Sequence, residues 1–431
     1  MDILTKLIKR VLSFAEKVES LQKFARVSKQ FSLPLCFDSI SHQKTPNLGF
    51  AEDSKEVFVY ETMVRRSLRS RKHKHNENED IISNLTDCIL IHVLSFLNAK
   101  EAAQTCILSK RWITLWKGLP TITLSSSNFR TEKSLAEFLS HFLSLRDGST
   151  TIHTLDVHCL YYLEPSLFQM IIKYAISHNV QHLLMNFPCR IDLFPSCFFS
   201  CHTLTSLNLS GYDILFGQIP IFPKNLNLPA LTSLSLKYFS FHRSDAGCVV
   251  EPFSTFNMLN RLIIDSCIVQ DAQNLCISST KLVNLTIIMH DCEPKTIIGT
   301  YFGLELYAPS LQTFAFSGPY TPKLFASKNV LSSIKHVNIH VTCYWNSKAR
   351  ETSPVLLNWL VVLTNIESLT ICLYTLEVLS LVRDLLKVEF PSLFNLKSLK
   401  LKTPMPSSKL DKRVDFLIQN SPSTKVDIIH L

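Results

Sequence analysis

Cys197-x-x-x-Cys201-His202 is the grouping closest to a metal site in the sequence, two thiols and an imidazole of the kind that ligate zinc. A structural zinc needs a second pair at finger spacing, and none follows. Phe198 and Phe199 stand between the cysteines and point to burial, so no metal is expected. Two histidine pairs, His153 with His158 and His336 with His340, have the residue type for general acid–base work. No nucleophile motif, phosphate loop or paired-carboxylate arrangement accompanies them. With 9 glycines in 431 residues, folds that depend on left-handed turns, dinucleotide-binding and P-loop architectures among them, are disfavoured. No cofactor and no catalytic residue is expected, which leaves binding as the chemistry to look for.

A chain of 431 residues exceeds one small core and calls for two or three compact domains or one elongated repeat array. Hydrophobic residues make up 46% and charged residues 18%, enough apolar surface to fold rather than stay disordered. The 13 cysteines lack paired spacing and no secretory signal precedes them, which fits a reducing compartment, the nucleus or the cytoplasm or both. No apolar run is long enough to span a bilayer; the best, Val355 to Leu363, is interrupted by Asn358. The net charge of +9 is uneven: residues 1–79 carry 15 Lys/Arg against 10 Asp/Glu, leaving 29 against 25 for the remainder. That balance gives the body no broad phosphate-neutralising stripe, so nucleic acid is not the expected partner.

Residues 1–79 read as an extension. Leu4, Leu7, Ile8, Val11, Leu12, Ala15 and Val18 fall at helical spacing beside Lys6, Lys9, Arg10 and Lys17, a basic amphipathic helix suited to docking, with a membrane surface or organelle targeting as the alternatives. Arg65 to His75 is a basic cluster that reads as a linker and has the composition of a nuclear import signal.

Residues 80–120 carry the most specific pattern. Ile89, Leu90, Val93, Leu94 and Leu97 form one apolar stripe on a helix started by Thr86 or Asp87. Asn98 with Glu101 is placed to form a capping box opening a second short helix, and Ser109 to cap a third that carries Leu108, Arg111, Trp112, Leu115 and Trp116. Gly118 and Pro120 end it. Three such helices bury too little surface to stand alone, and two tryptophans on the third predict an apolar face that needs a partner.

This stretch resembles the F-box, in its plant form, through Asp80-Ile81-Ile82-Ser83, Leu85-x-Asp87, Ile89-Leu90, His92-Val93-Leu94-Ser95-Phe96-Leu97, Lys100-Glu101-Ala102, Thr105 and Leu108-Ser109-Lys110-Arg111-Trp112-x-x-Leu115-Trp116. The resemblance implies binding to a Skp1-like adaptor and, through it, to a cullin, with Leu85, Ile89, Leu90, Val93, Leu94, Leu97, Leu108, Trp112, Leu115 and Trp116 as the adaptor contact. Thr86 and Asn98 stand where the family usually has proline, which preorganises a helix start.

From residue 121 a pattern of apolar residues at positions one, four and six recurs. It runs through Ile152-Leu155-Val157, Val180-Leu183-Met185, Leu204-Leu207-Leu209, Leu231-Leu234-Leu236 and Leu259-Leu262-Ile264. Leu282-Leu285-Ile287, Leu311-Phe314-Phe316, Ile334-Val337-Ile339, Ile366-Leu369-Ile371 and Leu396-Leu399-Leu401 continue it, with starts roughly 23–32 residues apart. The last two residues of each unit alternate along a short strand so that both point inward, and such strands stack in parallel. Cys267 and Cys292, just after their strands, read as buried repeat positions.

These units resemble the degenerate leucine-rich repeats of plant F-box proteins. The fold expected is a mixed α/β repeat: a three-helix F-box at 80–120, a curved leucine-rich-repeat solenoid at 121–404 with a parallel sheet on its concave face, and a cap at 405–431. Phe416 to Pro422 resembles the family's closing segment, and a complete FBD domain is not expected after it. On the concave face Asn208, Lys237, Arg261, Asp265, Asn284, His336, Asn338, His340, Lys400 and Lys402 are the expected contacts to a target protein. Lys397, Lys400 and Lys402 make its C-terminal end basic. The function implied is that of a non-catalytic substrate-recognition subunit of a Skp1–cullin–F-box (SCF) ubiquitin ligase, its target unidentified. The rival reading is a nuclear scaffold or nucleic-acid-associated protein acting through the basic arm at 65–75.

Overall fold

The computed structural model describes residues 85–159, 163–186, 194–211, 219–223, 226–242, 248–290, 302–319, 321–326, 330–342, 348–381, 393–403 and 424–430. The extension at 1–79, Asp80 to Ser83, Cys292 and the Phe416 to Pro422 segment lie outside them. The chain divides into two compact units, Met1–Ile152 and His153–Leu431.

In the first unit the helices are α1 (Asp87–Leu94), α2 (Ala99–Gln104), α3 (Trp112–Leu115) and α4 (Glu132–Leu145), with strand β1 (Thr121–Ser125) before α4. Short 3-10 turns at Thr105–Ile107 and Trp116–Gly118 follow α2 and α3. The module boundary read from sequence at residue 120 thus falls inside this unit. α2 packs against both β1 and α4. Leu119 before β1, with Ile122 and Leu124 on it, has the same one, four, six spacing as the later strands, all three buried, a match that the sequence reading passed over.

The second unit opens with β2 (Thr154–His158), α5 (Pro165–Ser177), β3 (His182–Asn186), β4 (Ser206–Ser210) and β5 (Ser233–Lys237). Then come β6 (Ser240–His242), β7 (Val249–Val250), β8 (Arg261–Asp265), β9 (Ile268–Gln270), β10 (Asn274–Ser278) and β11 (Asn284–Ile288). β12 (Gly303–Tyr307), β13 (Thr313–Gly318), β14 (Leu324–Phe325), β15 (His336–Val341) and α6 (Lys348–Val362) follow. The described chain ends on β16 (Ser368–Cys372), α7 (Leu373–Ser380), β17 (Ser398–Thr403) and β18 (Lys425–His430).

One parallel sheet runs β2-β3-β4-β5-β8-β11-β13-β15-β16-β17-β18, with each residue of a strand opposite its counterpart in the next repeat. Its regularity starts before the strands: Ser206 N–H donates to the Gln181 carbonyl, Ser233 to Thr205, Arg261 to Thr232 and Asn284 to Asn260, one repeat back each time. All thirty residues of the ten repeat triplets are at most 3% exposed, which makes them the core. Cys267 is buried as expected, and burial pushes its thiol up to about 12.

Three features were not foreseen. β18 adds a strand within the region expected to be a cap, because its first pattern position is Ser423 and only Val426 and Ile428 keep the apolar spacing. A second parallel sheet, β14-β12-β10-β7, and a pair β6-β9 form from segments between the main strands. The scarcity of glycine also does not remove left-handed backbone: Asn179, Tyr238, Ser266 and Asp271 adopt φ of 52–60° instead.

Candidate functional site

The helical segment that starts the first unit is held by side-chain clasps. Arg111 Nε donates to Asp87 Oδ1 at 2.7 Å and its Nη2 to the Leu85 carbonyl at 2.6 Å, tying α3 to the start of α1. Asn98 accepts from Glu101 N–H and Glu101 from Asn98 N–H, the capping box expected of α2. Thr86 sits at the N-cap of α1 but its side chain makes no capping bond, and Ser109 contributes its carbonyl, not its hydroxyl, to the turn entering α3. Thr86 has φ of −72° and Asn98 −70°, the value a proline ring would impose, so both helix starts keep that geometry without proline.

Burial divides the ten residues expected at the adaptor contact. Ile89, Leu90, Leu94, Leu97, Trp112, Leu115 and Trp116 are at most 7% exposed and form the interior of the unit. Leu85, Val93 and Leu108 are half-buried. Part of the partner that the tryptophans need comes from this same chain: Trp116 stacks on Phe142 of α4, which stacks in turn on Phe138, and Phe138 meets Phe129. The accessible apolar side chains of the segment are others: Phe96 at 43%, Ile107 at 70% and Ile113 at 46% exposed. Sequence periodicity missed them because it marks the stripe facing the core, and Ile107 and Ile113 stand off that stripe. Ile107, Leu108, Trp112 and Ile113 crowd too small a helix pair for all to face inward, which was the available signal.

The ten residues expected on the target face all lie on strands of the main sheet, at positions between or beside the inward residues; Arg261 and His336 are exposed and the other eight half-buried. The register makes Lys237 and Asp265 neighbours, and Lys237 Nζ lies 3.1 Å from Asp265 Oδ2, with His290 3.5 Å from the other carboxylate oxygen. Arg261 neighbours Asn284. His336, Asn338 and His340 share β15, whereas Lys400 and Lys402 are on β17, with β16 between. Residues the sequence reading did not assign to this face include His158, 2.9 Å from Asp156, and Asp427, beside Lys400. At the strand entries Glu367 bridges Lys335 at 3.3 Å and Lys397 at 2.8 Å, and the Lys397 hydrogen bond above all holds its carboxyl below the usual range. Of the zinc-like grouping, Cys197 is exposed and Cys201 buried, its sulfur 3.4 Å from Thr203 Oγ1.

Residues 82–123 match the F-box domain. The chain is 28% identical over 391 residues to an F-box/LRR-repeat protein of Arabidopsis thaliana, covering 87% of this chain and 77% of that one. The chain is of the plant F-box/leucine-rich-repeat type. An F-box/FBD/LRR-repeat protein of the same plant is 26% identical over 348 residues, covering 76% of this chain and 72% of the relative. An FBD-associated F-box protein reaches 34% over 154 residues, a third of each chain. The clasped helices at 85–119 therefore belong to the F-box, and the F-box with its F-box/LRR relatives suggests a substrate adaptor of the SCF type. Among the described residues no helix is long and apolar enough to cross a membrane.

Proposed function

We propose that this chain is the substrate-recognition subunit of an SCF ubiquitin ligase, working in the nucleus or the cytoplasm. Its F-box docks a Skp1-like adaptor that is joined to a cullin, and its strands hold a target protein. The observation that carries the reading is the apolar trio Phe96, Ile107 and Ile113, left accessible in a segment that matches the F-box. Isoleucines at 46% and 70% exposure on turns of a small helical unit gain by burial against a second polypeptide, at about 25 cal/mol for each Å² of apolar surface covered. Leu85, Val93 and Leu108 extend that contact, while the buried leucines and tryptophans shape the surface from beneath.

On this reading the parallel sheet is the concave face of a curved leucine-rich-repeat solenoid spanning 121–404, and its outward rows receive the target. Ubiquitin transfer then follows from proximity: a target lysine held near the charged conjugating enzyme meets it at a high effective concentration, with no acid–base work by this chain. Co-expression with a Skp1-like adaptor and a cullin tests the assignment. Intact chain should co-purify with both, and Ile107→Asp should lose both together while remaining folded by circular dichroism. Retention of the adaptor by Ile107→Asp combined with Ile113→Asp would overturn the docking surface.

A further inference from the structure

The outward rows of the main sheet change character along its length. On β5 and β8 the lysine of the face is neutralised, since Lys237 lies against Asp265. From β11 through β17 the outward strand positions carry hydroxyl, amide, apolar and imidazole groups and two lysines, with no carboxylate among them. Lys402 has Cys372 and Ile429 as register neighbours, neither of them charged, and among the described residues no carboxylate pairs with it. Lys400 neighbours Asp427, whose carboxylate is 3.2 Å from Lys425.

His340 stands on the same side of the sheet, on β15, with Ser317 of β13 opposite it. Burial and then the Lys402 ammonium hold its imidazole below the usual range. Glu367 is taken up by Lys335 and Lys397 at the strand entries. The cationic ground is narrow, two lysines on one strand beside a half-buried histidine, and the buried Phe314 and Phe316 point away from it. A nucleic acid needs a longer run of cations or stacking aromatics. A peptide needs one or two anionic anchors and hydrogen-bonding groups for its backbone, which Asn338, Thr370 and Ser398 provide along the adjacent positions.

We propose that the β15–β17 end of the face takes an anionic peptide segment of the target, its carboxylate or phosphate groups seated over Lys402 and Lys400 beside His340. This rests on the face being the target surface and adds the chemistry of what it receives.

The test uses the full chain in complex with its Skp1-like adaptor and four fluorescent probes: a peptide rich in Asp and Glu, a phosphoserine peptide, an uncharged Asn/Gln peptide and a single-stranded oligonucleotide. One or both anionic peptides should bind, the tighter naming the group recognised. Lys402→Gln should weaken that binding by about tenfold while Lys133→Gln, on α4, leaves it unchanged. Equal binding of the uncharged peptide, indifference to Lys402→Gln, or an oligonucleotide bound as tightly as the peptides would overturn the proposal. A display selection of random peptides separates the two layers of the reading. Uncharged peptides lost on Asn338→Arg would keep the face and overturn the anionic class; selected peptides indifferent to Asn338→Arg and Lys402→Gln alike would overturn both.

Discussion

The Trp116 indole stacks on the Phe142 ring with 5.0 Å between centroids and 26° between planes. Twenty-six residues separate them, and the contact carries the F-box core beyond the motif into α4, whose last turn is tied back where Arg146 donates to the Leu119 carbonyl at 2.8 Å. The small helical unit gains interior from its own chain, and the surface proposed for the adaptor is a set of side chains lying outside that interior.

Truncating either ring should cost about 3 to 5 kcal/mol in the stability of the first unit, as for other buried aromatics. The double truncation Trp116→Ala with Phe142→Ala should cost less than the sum, by about 0.5 to 1.5 kcal/mol of stacking. Urea unfolding of the four variants measures this, and strict additivity would show that the rings do not act together.

The two helix starts that lack the family's proline give a second expectation. With φ at −72°, Thr86→Pro should leave stability unchanged or raise it by up to about 1 kcal/mol by restricting the unfolded chain. Asn98→Ala removes a capping box and should cost about 1 kcal/mol. Thermal melts compare the pair; a large loss in Thr86→Pro would mean that the backbone there is not free to accept the ring.

Two histidines of the strand face should titrate with opposite sign. The hydrogen bond to Asp156 raises His158 above its ordinary 6.5, so its contribution to stability is full below the unfolded value and is lost as pH climbs through the raised one. Burial, then Lys402, lowers His340 below 6.5, so its contribution is present above that value and is lost as pH falls through the lowered one. Denaturation midpoints of His158→Gln and His340→Gln against the parent, followed from about pH 5 to 8, should show gaps that move in opposite directions. Gaps that stay constant over that interval would contradict both assignments.

Most of the second unit was legible in the sequence, since a strand whose inward residues alternate leaves a period that survives degenerate repeats, and Leu204-Leu207-Leu209 or Ile366-Leu369-Ile371 state it openly. β18 was missed because its opening position is serine, and β10 and β12 because each shows only one short apolar alternation, Leu275 with Ile277 and Leu304 with Leu306. In the F-box the apolar stripe was read correctly as a stripe, yet Leu90 and Trp116 turn inward. Which face of a small helix stays open depends on what packs behind it, and α4 begins nine residues past the motif.

The most direct measurement is the dissociation constant of the full chain for a purified Skp1-like adaptor, by titration calorimetry, in the parent, Phe96→Asp, Ile107→Asp and Ile113→Asp. Each substitution changes a side chain at least 43% exposed, so stability should shift by no more than about 0.5 kcal/mol while affinity falls tenfold or more. Parent-like affinity in all three variants would contradict the account, because the F-box would then dock through some other surface or not at all.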